Sequence, residues 1–166
     1  CSQLRFIEPE TQAIQLRTNG IVKTSYSGYY IDIFRSRRQD GKDKFHDYFY
    51  HNLGQTMDLT SVDGKPLGLK PTNELAFAGG HLYAYSYIHH KESAKTDLPV
   101  KASFFMKWPG EKHHVDMTMW MGGSQDREVF QALSPANLEY ERLGDYIPYK
   151  VDDQPVLTFV ARQRGE

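Results

Sequence analysis

Strict alternation of apolar and polar side chains limits what this chain can fold into. Over residues 99–108, Val100, Ala102, Phe104, Met106 and Trp108 alternate with Lys101, Ser103, Phe105 and Lys107. Beyond Pro109-Gly110, Val115, Met117, Met119 and Met121 alternate with His114, Asp116, Thr118 and Trp120. A two-residue period puts each set on one face of a strand. The turn dipeptide predicts a hairpin in which Lys112 to Met121 return along 99–108.

The same period predicts further strands. Leu4-Arg5-Phe6-Ile7 reads as one, and residues 11–17 and 20–26 flank an Asn19-Gly20 hairpin signal. Residues 29–36 and 44–53 read as a pair around a basic, polar connection holding Asp40-Gly41. Residues 55–60 are closed by Asp63-Gly64. In 81–88, Tyr83, Tyr85 and Tyr87 share a face opposite Leu82, Ala84, Ser86 and Ile88. Residues 127–133 and 155–162 complete the set. Residues 65–73, with Pro66 and Pro71, read as a loop. Ser134-Pro135-Ala136-Asn137-Leu138 is the expected helical turn, with Ser134 as cap and Pro135 in the first position.

About ten short strands without a βαβ rhythm imply an all-β fold, an antiparallel two-sheet β-sandwich, in a single domain over residues 1–166. The abundance of aromatics, with 11 Tyr and 9 Phe, suits half-buried pleated faces. A formal charge of -1 provides no global field for nucleic acid. No apolar run approaches the roughly 18–20 residues of a transmembrane helix. With one cysteine, Cys1, no internal disulfide can form. Cys1 has two readings, the lipidated first residue of a bacterial lipoprotein or an arbitrary boundary. The strand-like Leu4–Ile7, where a lipoprotein has a polar tether, favours the boundary.

Few residues are arranged for chemistry. Asp47 and His51 stand about 13 Å apart on a strand, too far to share an ion unaided. His89-His90 and His113-His114 diverge if extended, so no metal site is expected. Neither a Gly-x-Ser-x-Gly elbow nor a suitably placed cysteine supports acyl transfer. The 44–53 strand is denser in function-bearing types: His46, Tyr48 and Tyr50 fall on one face, and Asp47, Phe49 and His51 on the other. Such residues serve either as a hydrogen-bonded structural set or as contacts in a site. Arg35, Arg37, Arg38, Lys42 and Lys44 cluster within ten residues. They form either a solvated turn or, with His46, Tyr48 and His51, a surface for a negatively charged sugar polymer, since guanidinium groups pair bidentately with carboxylate or sulfate.

Tyr30-Ile31-Asp32-Ile33-Phe34-Arg35, followed by His46-Asp47-Tyr48-Phe49-Tyr50-His51-Asn52-Leu53-Gly54, resembles the C-terminal β-sandwich of the heparinase II/III-like polysaccharide lyases. The likeness runs on through Leu75–Tyr83 and Arg127–Ala132 and rests on order and spacing. It implies a secreted, periplasmic or outer-membrane-associated bacterial enzyme that cleaves uronate-containing glycans, such as alginate or glycosaminoglycans, by β-elimination. In that family an N-terminal α/α toroid and an upstream His-x-His region supply the catalytic groups and a structural zinc. This sequence has neither feature, so no catalytic or metal residue is carried over and no cofactor is expected on it. The resemblance implies a C-terminal fragment, inactive alone, whose partners are the missing toroid and, weakly, an acidic polysaccharide. Two other readings remain open. A carbohydrate-binding module would show an aromatic-lined basic groove. A structural domain that holds a partner's active site would show a large exposed apolar patch.

Overall fold

The structure, a computed structural model, describes residues 1–75, 80–107, 112–135 and 156–165. Among them the elements are β1 (Ser2–Ile7), β2 (Ala13–Lys23), β3 (Gly28–Arg38), β4 (Lys44–Asn52), β5 (Thr56–Ser61), β6 (Lys70–Pro71), a 3-10 helix (Gly80–Tyr87), β7 (His89–Lys95), β8 (Val100–Met106), β9 (Val115–Met121), β10 (Arg127–Ser134) and β11 (Val156–Gly165). The fold is all-β and its registered strand pairs are antiparallel, as the alternation predicts. Three sheets form, ordered β1-β2-β3, β4-β11-β10-β7-β6 and β5-β8-β9.

The chain divides into two compact units, one of residues 1–48 with 162–166 and one of residues 49–161; the boundary falls within β4 and β11. In the first unit β2 is the central strand of its sheet. Asn19 does not turn: it pairs with Ser2 on β1 and Asp32 on β3, while Gly20 faces Ile31. An Asn-Gly step makes a hairpin only where the flanking segments pair with each other, and here each side already has another partner. The reversal lies instead at Thr24–Ser27, where the Thr24 hydroxyl accepts from the Ser27 N–H at 2.9 Å and the Thr24 N–H donates to the Ser27 carbonyl at 2.7 Å.

β3 and β4 are not a hydrogen-bonded pair either. They lie in different sheets; within the first unit the Phe34 and Tyr48 ring centroids are 6.1 Å apart. The connection carries the chain from one sheet to the next. Asp40 anchors it by accepting from the Lys42 N–H at 3.1 Å, and Gly41 takes a φ of 61°, the left-handed region that glycine enters without steric cost.

The second unit is built on apolar burial. Val100, Ala102 and Phe104 of β8 pair with Met121, Met119 and Met117 of β9, which is the expected hairpin register. The Pro109-Gly110 turn lies outside the described residues. These side chains face the five-stranded sheet: the Tyr50 ring lies 5.6 Å from Phe104, and Val129, Phe130, Phe159 and Val160 are fully buried. Gly54 seals this unit. Its φ is 145°, and a Cβ there would come within 2.5 Å of the Phe105 carbonyl oxygen.

Residues 81–88 do not form the predicted strand. Tyr83, Tyr85 and Tyr87 fall on the 3-10 helix, where three residues complete a turn and a two-residue spacing defines no face. Ser134 ends β10; of its predicted helical turn, residues 136–138 lie outside the described residues.

Candidate functional site

β4 alternates as its sequence predicts, and most of its polar side chains are engaged. In the first unit, Nδ1 of His46 lies 2.8 Å from the Ser36 hydroxyl, and its Nε2 lies 3.3 Å from the Gly165 carbonyl oxygen. Tyr48 donates to Asp32 at 2.9 Å. Asp32 is also gripped bidentately by Arg17, whose guanidinium stands 5.6 Å from the Tyr48 ring centre. Burial, aided by the Asp32 hydrogen bond, pushes the Tyr48 phenol above its ordinary value. A tyrosine that abstracts a proton needs the opposite shift. On the other face Asp47 accepts two hydrogen bonds from Arg162, both 2.8 Å, with side chains only 9% and 14% exposed.

The basic cluster separates by strand face. Arg38 is neutralised by Asp40 through contacts of 3.0 and 2.8 Å, and this pairing holds the Asp40 carboxyl below its usual range. Arg35 and Arg37 point to the opposite, exposed face of β3. The register places them beside Leu16 and Ile14, and Leu16 in turn beside Arg5 of β1. Arg5 thus joins Arg35 and Arg37 on one exposed face. Nothing local in the sequence marks it, because only the three-strand register brings it there. Lys42 and Lys44 are exposed at the turn and at the start of β4.

His51 lies in the second unit. Its Nδ1 is 3.0 Å from the Thr158 hydroxyl, which is 2.7 Å from the Ser134 hydroxyl and 3.1 Å from the Val156 carbonyl oxygen. The His51 ring stacks on Phe49 at 6.0 Å, and Phe49 meets Tyr85 edge-on at 5.3 Å. Desolvation lowers the imidazole's pKa from its ordinary value. Phe49, His51, Tyr85, Tyr87, Ile88 and Ser134 line a cavity of about 450 Å³. Its lining could not be read from the sequence, because it depends on the 3-10 helix that replaces the predicted strand.

Among the described residues no three His, Cys, Asp or Glu side chains stand close enough to hold a metal ion. The zinc of the resembled family therefore finds no donor set in them, and no chemistry is routed through one. No helix among them is long and apolar enough to cross a membrane.

Over 153 residues the chain is 27% identical to an endo-acting ulvan lyase of Formosa agariphila; the match covers 92% of this chain and 18% of that protein. The chain thus spans less than a fifth of the length of the curated relative it matches. No protein-family model matches it, and no solved structure does. Along nearly its whole length, this all-β chain is similar to one segment of a polysaccharide lyase.

Proposed function

We propose that the chain is the β-sheet portion of a larger, extracellular or periplasmic polysaccharide lyase of the heparinase II/III-like kind, accessory to catalysis rather than catalytic. The carrying observation is the similarity to the ulvan lyase over 92% of this chain and only 18% of the relative. On this reading the substrate is a uronate-containing glycan, ulvan or a related acidic polymer, and any toroid and zinc site belong to other parts of the enzyme. The side chains of β4 agree with an accessory role: Tyr48 and Asp47 are committed to Asp32 and Arg162.

Exposed apolar surface on the first unit supports a docking role. Tyr29, Ile31 and Ile33 are exposed on the face of β3 that carries Arg35 and Arg37, while Leu4 and Ile21, 68% and 79% exposed, and Phe6 are exposed on the opposite face of the sheet. A monomer seldom leaves such a surface uncovered; the occupant on this reading is the remainder of the lyase. The exposed Arg5, Arg35 and Arg37 would add weak, salt-sensitive contacts to an acidic glycan.

The experiment compares the purified chain with the longer protein that contains it. The chain incubated with ulvan or alginate should give no rise in the near-ultraviolet absorbance of an unsaturated uronate, whereas the longer protein should. A steady rise with the chain alone would overturn the accessory role.

A further inference from the structure

The cavity beside His51 differs chemically from the basic face of β3. Its lining includes three aromatic rings, from Phe49, Tyr85 and Tyr87, and among the described lining residues no Lys, Arg, Asp or Glu. Its volume of about 450 Å³ falls in the usual range for small-molecule sites, about 300–1,000 Å³. A carboxylate or sulfate entering it would shed water without meeting a counter-charge from the described lining residues, which is costly. A neutral pyranose presents what the lining offers to match, a C–H face for the aromatic rings and hydroxyls for the rim.

The hydroxyls around His51 fix which polar atom is on offer. Thr158 has one proton, and the Val156 carbonyl oxygen stands ready to accept it. Thr158 then accepts from both His51 and Ser134. In that arrangement the imidazole proton is on Nδ1 and Nε2 keeps its lone pair, with no partner among the described residues. Desolvation favours the neutral form of the ring.

We propose that this cavity binds one uncharged pyranose ring of a glycan, its C–H face against Tyr87 and Tyr85 and one hydroxyl donating to Nε2 of His51. The proposal deepens the reading of the chain as part of a polysaccharide lyase and rests on it. It assigns neutral sugar recognition to the second unit and leaves acidic recognition to the basic face of the first.

The test is an NMR titration of the isotopically labelled chain with a panel of neutral methyl pyranosides and the uronates of the same rings. Saturable shifts at His51, Tyr85 and Tyr87 are expected for a neutral ring at millimolar concentration, insensitive to salt. Tyr87→Ala should weaken binding by up to about tenfold, the scale of one lost aromatic contact; Tyr87→Phe should retain it. Tyr87 is 51% exposed, so both variants should keep the fold. Uronates binding as tightly as neutral rings, or no saturable shift from any of them, would overturn the proposal. A final titration with acidic polysaccharide separates the two readings. Shifts at Arg35 and Arg37 without any glycoside response would sink the cavity site alone; silence from both ligands would sink the glycan reading as well.

Discussion

The two units are held together by different physics. Of the buried apolar side chains described, all but Ala13 belong to the second unit. There Phe130, Phe159, Val129 and Val160 leave water entirely, and burial of apolar surface is the main stabilising term. The first unit has long strands, yet its apolar residues are largely exposed. It is organised by polar contacts instead: Arg17 with Asp32 and Tyr48, Asp47 with Arg162, and His46 between Ser36 and the Gly165 carbonyl. Paired polar groups fix geometry well but add little net stability. A sheet so organised is specified without being strongly stabilised.

The comparison breaks most directly at the core. Phe159→Ala should cost about 3–5 kcal/mol, as for other buried aromatic truncations, whereas Phe6→Ala in the exposed sheet should change stability by no more than about 0.5 kcal/mol. Chemical denaturation of both variants measures this, and a large loss from Phe6→Ala would show that the first unit has a core of its own.

Next in size is Asp47→Ala, which takes two charge-assisted hydrogen bonds from Arg162. A loss of about 3 kcal/mol is expected, the low end for removing one partner of a buried ion pair. Hydrogen exchange should show the loosening at β4 and β11 while the β8–β9 hairpin stays protected. Equal loosening of that hairpin would mean the two units do not differ as described.

The smallest effect comes from pH. His51 has a folded pKa below its ordinary value of about 6.5, so the unfolded chain binds the proton first. Its contribution to stability is full above the unfolded value and is lost as pH falls through the lower folded one. The wild type should therefore lose stability between about pH 6.5 and the acid range by a margin that His51→Asn removes. Denaturation midpoints of wild type and His51→Asn, measured above and below about pH 6.5, check this, and an equal loss in both proteins would refute it.

What the sequence disclosed follows the same division. The β8–β9 hairpin was legible because one face of β8 is buried and Met117, Met119 and Met121 of β9 are half-buried beside it, and burial forces clean alternation. Asn19-Gly20 misled because turn propensity is local, while β2 is a central strand claimed on both sides. The alternation of Tyr83, Tyr85 and Tyr87 imitated a strand that tertiary packing overrode. The basic run was visible as a run. That Arg38 is answered by Asp40 while Arg35 and Arg37 face outward with Arg5 depends on face and register, which composition does not encode. The Arg17–Asp32 and Asp47–Arg162 pairs join residues far apart in sequence and leave no mark in any short window.

The place of β11 in the five-stranded sheet, between β4 and β10, bears on how the chain acquires its structure. β4 is made early and β11 more than a hundred positions later. On a ribosome, β4 and the inner edge of β10 would wait with unpaired backbone amides and carbonyls until β11 emerges. Such long-range closure is slow, and open strand edges invite association between nascent chains. A cell making this protein in quantity would have reason to keep a chaperone near β4 until synthesis has passed residue 165.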